Sequence, residues 1–126
     1  VRELRPHVLY IPFRYDAHSD HRVVFDAISA CTKSFRYPGI KRVLAYETLS
    51  ETEFGMDPVA VFRPNVFVDV SEYLDEKVNI MAIYKSEFGE FPFPRSEQAI
   101  RALAALRGST SGAKAAEAFL LLREVW

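Results

Sequence analysis

The sequence VLYIPF at residues 8–13, followed by DAHSDH at residues 16–21, decides how the first part of the chain folds. The first segment is a short apolar run rich in β-forming residues, which predicts a buried strand. The polar second segment predicts a turn, after which a helix runs to about residue 33. Ser19 or Asp20 is the expected N-cap of this helix. Its apolar residues recur at helical spacing, and they are Val24, Phe25, Ile28 and Cys31.

The rest of the chain continues the alternation of strands and helices. Further strands are predicted at residues 42–46 and 65–70, with a long polar loop over residues 47–62 between them. Three more helices are predicted: from a Ser71 cap to about residue 88, from Ser96 to a glycine break at residues 108–112, and over residues 115–126. The pattern indicates an α/β fold, with a partial sheet of about three strands and flanking helices, in a single domain over residues 1–126.

The composition excludes several classes of function. The 126 residues carry 16 basic and 17 acidic side chains, a net charge of −1, whereas domains that bind nucleic acid through phosphates are usually basic. No apolar run approaches the roughly 20 residues of a membrane span. The single cysteine, Cys31, excludes an internal disulfide and fits a reducing compartment. We therefore expect a cytoplasmic protein that neither binds nucleic acid nor spans a membrane.

The turn at residues 16–21 is the strongest candidate for chemistry. It holds two of the three histidines in the chain, His18 and His21, at the end of a strand, where open α/β sheets place their ligand sites. The partial positive charge of a helix N-terminus favours neutral imidazole, which is the form that binds a metal. The turn therefore predicts a ligand or metal site.

His21 lies in phase with the apolar face of the predicted helix and should point inward. Spacing alone favours a core histidine bonded to a backbone group over a metal ligand. A catalytic zinc usually takes three protein ligands and a water molecule. The side chains in this chain that could serve are His18, His21, Asp16 and Asp20, whereas His7 is discounted because it precedes the strand and lies at its opposite end.

Eight segments of the chain occur in the order known from one protein family. They are VLYIPF, DAHSDHR, VLAYETLSETEF, FRPNVFVDVSEYLDEKV, IYKSE, FPFPRS, ALAALRG and AEAF. In these segments the chain resembles the C-terminal half of the PIG-L/LmbE family of zinc-dependent N-deacetylases, the superfamily of the GlcNAc-phosphatidylinositol de-N-acetylase. The resemblance covers nearly the whole chain. It implies a Rossmann-like three-layer fold, of which this chain would form the C-terminal part.

The resemblance also implies roles for residues in the turn. The downstream motif of the family is His-Pro-Asp-His, which this chain matches at residues 18–21 with Ser19 in place of the proline. By this match, His21 is the third ligand of a zinc ion or of another divalent metal. His18 is the general acid, or the group that stabilises the tetrahedral intermediate electrostatically. Asp20 orients or polarises the histidines from the second coordination shell.

One motif of the family is missing from this sequence. His-Pro-Asp-Asp-Glu supplies the other two zinc ligands and the aspartate that acts as general base, and no segment here matches it. The resemblance therefore implies that the isolated chain is inactive and holds one zinc ligand, or no zinc at all. Three explanations stay open. The chain is a fragment of a longer enzyme, which the initial Val1 and the small sheet favour, or half of a split enzyme, or a module without catalysis that assembles with a partner chain.

Expectations about the substrate follow from the same resemblance. The complete enzyme would remove the N-acetyl group from an N-acetylated sugar or glycoconjugate, and members of the family are often homo-oligomers. Glu47, at the end of the second strand, is a candidate for binding sugar hydroxyls, although a solvated loop explains the same composition. Arg95 is a candidate for contact with the substrate, with an ion pair at a helix end as the alternative.

Overall fold

The computed structural model describes residue 1 and residues 3–126 of the chain. Within these residues, four strands and three helices follow one another: β1 (Val8–Pro12), α1 (Ser19–Cys31), β2 (Arg42–Tyr46), β3 (Val66–Asp69), α2 (Leu74–Ile83), α3 (Glu97–Ser111) and β4 (Ala116–Glu124). The strands form one sheet in the order β1-β2-β4-β3. The predicted α/β fold is confirmed, but this sheet has four strands rather than about three.

The pairing of β1 with β2 positions the candidate site. The two strands are parallel, with Val8 opposite Arg42 and Pro12 opposite Tyr46, so that they end at the same level. A hydrogen bond from the Phe13 N–H to the Tyr46 carbonyl oxygen (3.1 Å) extends the pairing by one residue. Helix α1 makes the crossover that parallel strands require. The loops that follow β1 and β2 therefore leave the same edge of the sheet.

The residues form two compact units, which are Val1–Val66 with Phe119–Trp126, and Phe67–Ala118. The first unit contains β1, α1, β2 and most of β4. Its buried core consists of Ile11, Phe13, Ile40, Val43 and Ala45. Phe25 and Ile28 of α1 pack against this core, as their spacing predicted. Val24, which was predicted on the same face, is instead exposed. The expectation of a single domain stays a prediction.

The second unit contains α2 and α3. Val78 of α2 is buried, as are Ile100 and Ala104 of α3. A hydrogen bond from Arg101 to the Asp75 carboxylate (2.7 Å) joins the surfaces of the two helices. Of the helices that the structure describes, none is long and apolar enough to cross a membrane.

The ends of α3 are set by one serine and one glycine. The helix starts next to Ser96, as predicted, and the Ser96 hydroxyl caps it by accepting a hydrogen bond from the Ala99 N–H (3.2 Å). The predicted break over residues 108–112 is wrong in its extent, because Gly108 lies within α3. The helix ends at Gly112, whose left-handed backbone (φ 81°) is a conformation that glycine adopts without strain.

The starts of the other two helices differ from the prediction. Helix α1 is capped by the ring of His18 rather than by Ser19 or Asp20. Helix α2 begins after Tyr73 and ends at Ile83, which makes it shorter at both ends than predicted. The Ser71 hydroxyl does not cap it, because it is engaged with the Asp69 carboxylate and the Ala115 main chain instead.

The helix predicted over residues 115–126 is wrong, because Ala116–Glu124 form β4. The sequence AEAFLLLRE is apolar over most of its length, and periodicity does not separate a buried strand from a helix in such a run. The strand lies between β2 and β3 and is hydrogen-bonded to both. It runs antiparallel to β2, with Tyr46 opposite Phe119. Pairing on both sides outweighs the helix propensity of its Ala, Leu and Glu residues.

A substitution at Gly108 tests how closely α3 approaches the turn that follows it. A Cβ atom at this position would lie 2.7 Å from the Ala113 carbonyl oxygen and 2.9 Å from main-chain atoms of Ala115. Alanine is favoured over glycine in an open helix by about 1 kcal/mol. Here we expect the opposite sign. Gly108→Ala should lower the free energy of unfolding by about 1–3 kcal/mol, because it overpacks this contact.

Urea denaturation of both proteins measures this difference. The control is Ser109→Ala, at an exposed neighbouring position of the same helix, which should change the free energy of unfolding by less than about 0.5 kcal/mol. A Gly108→Ala protein as stable as the wild type would contradict the close contact between the helix and residues 113–115.

Candidate functional site

The candidate site is built from the loops that follow β1 and β2. The first loop leads into α1 and carries Asp16, and the second carries Thr52. Because parallel strands end at one edge of the sheet, the two loops lie next to each other. The Ala17 N–H donates to the Glu51 carbonyl oxygen (3.0 Å), which joins their main chains. The turn that the sequence singled out is therefore assembled together with a second loop.

The central contact of the site joins His21 to Asp16. The Nδ1 atom of His21 lies 2.7 Å from Oδ2 of Asp16, within hydrogen-bond distance. The Asp16 side chain is 0% exposed and that of His21 is 24% exposed. The partial burial of His21 agrees with its predicted position on the inward face of α1. The side chain of Asp16, on the loop that precedes α1, holds the ring, whereas spacing alone favoured a backbone group.

Thr52 completes the surroundings of the Asp16 carboxylate. Oδ1 of Asp16 accepts a hydrogen bond from the Thr52 hydroxyl (2.7 Å), which in turn accepts one from the Thr48 N–H (2.8 Å). Burial raises the pKa of the Asp16 carboxyl, and the hydrogen bonds from His21 and Thr52 counteract this rise. A buried carboxylate requires such partners, because burying an unpaired charge is strongly unfavourable.

His18 immediately precedes α1 and caps the helix with its ring. Its Nδ1 atom accepts a hydrogen bond from the Asp20 N–H (3.1 Å), the contact that a serine or aspartate side chain usually makes at this position. The Asp20 carboxylate is 78% exposed and lies 3.8 Å from the same nitrogen, beyond hydrogen-bond distance. The rings of His18 and His21 are 6.0 Å apart between centroids. The structure thus brings the two predicted histidines together.

The described residues do not form a complete metal site by themselves. Within residue 1 and residues 3–126, no group of three His, Cys, Asp or Glu side chains could hold a metal ion. His21 does fit the role of one ligand, because Asp16 engages its Nδ1 atom and leaves Nε2 available. His7 precedes β1 and therefore lies at the other end of this strand from Asp16.

Glu47 and Arg95, the residues that the sequence associated with substrate, belong to different units. Glu47 is partly buried and begins the loop that carries Thr52. Arg95 pairs with the Glu87 carboxylate (2.7 Å), donates to the Glu87 carbonyl oxygen (2.9 Å) and lies over the Phe93 ring (5.5 Å). The roles of Glu47 and Arg95 toward a substrate stay predictions.

Thr52 is the site residue that the sequence analysis missed, and Asp16 was considered there only as a metal ligand. No local spacing connects the two, because they are 36 positions apart and meet only through the pairing of β1 with β2. The one available signal was the length of the loop over residues 47–62, since long loops in compact domains are often functional.

Comparison with known proteins identifies the fold. No protein-family model matches the chain. A diacetylchitobiose deacetylase from Thermococcus kodakarensis is 28% identical over 129 residues, covering 93% of this chain and 45% of that protein. The match shows a relationship to a sugar deacetylase, and the chain spans about half of that relative's length.

Two solved structures match the chain nearly throughout. A conserved protein from Thermus thermophilus aligns with a TM-score of 0.73 and 25% identity, covering 99% of this chain and 56% of its own. The N,N′-diacetylchitobiose deacetylase from Pyrococcus horikoshii, solved with an inhibitor, aligns with a TM-score of 0.69 and 19% identity, covering 97% and 48%. The chain therefore has the α/β fold of these proteins.

A substitution at Gly55 tests the close approach of the two site loops. A Cβ atom here would lie 2.6 Å from the Tyr15 carbonyl oxygen, whereas one at Gly39 would meet nothing nearer than 3.9 Å. We expect Gly55→Ala to lower the free energy of unfolding by about 1–3 kcal/mol and to shift the amide resonances of Asp16 and Thr52. The measurements are urea denaturation and amide NMR spectra.

Gly39→Ala is the matched control, because it changes the entropy of the unfolded chain in the same way. It should leave stability within about 0.5 kcal/mol of the wild type or raise it slightly. Equal effects of the two substitutions would contradict the contact between Gly55 and Tyr15.

Proposed function

We propose that this chain carries part of the active site of a metal-dependent N-deacetylase, in which His21 binds the metal. The observation that carries the proposal is the buried Asp16 carboxylate at Nδ1 of His21. Proteins commonly orient metal-binding histidines in this way. The position of the site at the ends of β1 and β2, and the match to a sugar deacetylase, support the same reaction class.

The proposed substrate is an N-acetylated amino sugar or glycoconjugate. Two of the matched proteins are named for diacetylchitobiose, and this chain would act on a compound of the same class. Glu47 would accept hydrogen bonds from sugar hydroxyls. Arg95 would first have to exchange its contacts with Glu87 for contacts with the substrate. The ion-pair interpretation of Arg95 is therefore the better supported of the two.

The metal proposed for the site is zinc or another divalent ion. When bound, zinc supplies an activated water molecule and polarises the acetyl carbonyl group. In this chain His21 would hold it through Nε2, while Asp16 keeps the ring in its orientation. A catalytic zinc site usually has three protein ligands. The other ligands and the general base would come from polypeptide beyond the described residues, in line with the missing His-Pro-Asp-Asp-Glu motif.

His18 would act on the amide group that is cleaved. Because its Nδ1 atom is engaged by the Asp20 N–H, the ring turns Nε2 to other partners. A proton on Nε2 can be donated to the acetyl oxygen as negative charge develops there, and one such donor is worth about 10²–10³ in rate. The same nitrogen can deliver a proton to the leaving amine. Asp20 would assist through its main-chain N–H, which keeps the His18 ring in place.

A module that assembles with a partner, as half of a split enzyme or without catalysis, is the second candidate. Strand β1 is at the edge of the sheet, where Val8 and Tyr10 are 40% and 55% exposed, and Val23 on α1 is 65% exposed. Open strand edges and exposed apolar side chains are typical of surfaces that bind other polypeptides. The partner would be a second copy of the chain or a different polypeptide. Zinc bound at His21 with ligands from a neighbouring chain would favour the split enzyme, whereas a stable oligomer without metal would favour the module without catalysis.

The isolated chain should release no acetate from N,N′-diacetylchitobiose, with or without zinc, because it supplies one of three ligands and no general base. The decisive experiment reads the coding DNA upstream of the Val1 codon and assays the polypeptide that the whole reading frame encodes. We expect zinc-dependent acetate release that is lost in His21→Ala and that falls by about 10²–10³ in kcat in His18→Ala. His7→Ala is the control and should retain full activity.

Acetate release by the 126-residue chain alone would contradict the proposal that it is an incomplete site. Activity of the whole polypeptide after complete removal of metal would contradict the role of His21. A stable oligomer that binds no zinc and has no deacetylase activity would instead favour the non-catalytic module.

A further inference from the structure

His18 and His21 use the same ring atom for opposite kinds of hydrogen bond. In His21, Nδ1 faces a carboxylate oxygen, whereas in His18 it faces a main-chain N–H. In the part of the chain that the structure describes, neither Nε2 atom has a hydrogen-bond partner. A neutral imidazole carries its single ring proton on Nδ1 or on Nε2, so the partner at Nδ1 decides where the proton resides.

The surroundings of Asp16 keep the His21 proton on Nδ1. The Thr52 hydroxyl has one proton, which it donates to Oδ1 of Asp16, while the Thr48 N–H occupies its acceptor side. Oδ2 is then the oxygen that faces His21, and an ionised carboxylate can only accept a hydrogen bond. The proton of His21 therefore lies between Nδ1 and Asp16, and Nε2 keeps a free lone pair.

The start of α1 imposes the reverse arrangement on His18. The Asp20 N–H is one of the main-chain donors at a helix N-terminus that have no partner within the helix. It can only donate, so the Nδ1 atom that receives it must carry a lone pair. The proton of neutral His18 is then on Nε2. The same hydrogen bond that caps the helix thus selects the tautomer of the ring.

We propose that the chain fixes His18 and His21 in opposite tautomers, Nε2–H and Nδ1–H, before any metal or substrate binds. Asp16 and Thr52 are the positioning residues for His21, and the main chain at Asp20 has this role for His18. The functional roles assigned to the two tautomers rest on the proposed function. A ring with a free Nε2 lone pair suits a metal ligand, and a ring with a proton on Nε2 suits a donor to the acetyl oxygen.

Long-range proton–nitrogen NMR correlation spectra of the histidine rings test the proposal on the chain itself. They are recorded without metal at about pH 8, above the usual histidine pKa of about 6.5. Single His→Ala variants at positions 7, 18 and 21 assign the three rings. We expect a protonated Nδ1 and a bare Nε2 in His21, and the reverse in His18. Two histidines in the same tautomer, or a His21 ring that averages between both, would overturn the proposal.

Substitutions at Asp16 and Asp20 separate the two rings. Asp16→Ala should lower the ratio of Nδ1–H to Nε2–H at His21 by about tenfold or more, as expected for the loss of a hydrogen bond to a charged group, and leave His18 unchanged. Asp20→Ala removes a carboxylate but keeps the N–H, so His18 should remain Nε2–H. A change of tautomer at His18 in Asp20→Ala would show that the carboxylate, not the main chain, controls the ring.

Thr52 provides a second pair of variants that leaves the carboxylate in place. Thr52→Val removes the hydroxyl at nearly constant shape and should lower the tautomer ratio at His21, whereas Thr52→Ser should restore it. An unchanged ratio in Thr52→Val would remove Thr52 from the proposal. Because these spectra need neither metal nor substrate, they can refute the tautomers while the deacetylase proposal stands. A failed activity assay, in turn, leaves the spectra unaffected.

Discussion

The buried carboxylate of Asp16 is the constraint on which the rest of the candidate site depends. A carboxylate removed from water must be satisfied at both oxygens, and here the two partners come from different segments. His21 lies on the first turn of α1, and Thr52 lies on the loop after β2. Satisfying one carboxylate therefore fixes the position of a helix, the course of a loop and the orientation of an imidazole ring at the same time.

The parallel pairing of β1 with β2 makes this arrangement possible. Ile11 and Ala45 lie opposite each other in the two strands and are both completely buried, at 0% exposure. They anchor the end of the sheet from which both site loops emerge. The N-terminus of α1 orients a second imidazole ring through a local hydrogen bond. The ring of His18 satisfies the helix end and is oriented by doing so.

The sequence predicted elements well where neighbouring residues alone determine them. Strands β1 and β2 and helix α1 were expected within a few residues of their observed bounds, because their apolar spacing matches their surroundings. The prediction from sequence failed at β4, where an apolar run rich in alanine and leucine fits a helix as well as a strand. Only the neighbours of that run in the sheet decide between the two. The sequence also missed the cap of α1, because histidine is not a usual capping residue.

By itself the sequence determined β1, α1 and β2 and located His18 and His21 at the end of a strand, because these features depend on residues adjacent in the chain. The tertiary structure decided which carboxylate holds His21 and brought Thr52 into the site. Those contacts join residues up to 36 positions apart, and their geometry is set by strand pairing and burial. Hydrogen bonding to a buried charge is specified by what surrounds it in space, and no local pattern encodes that.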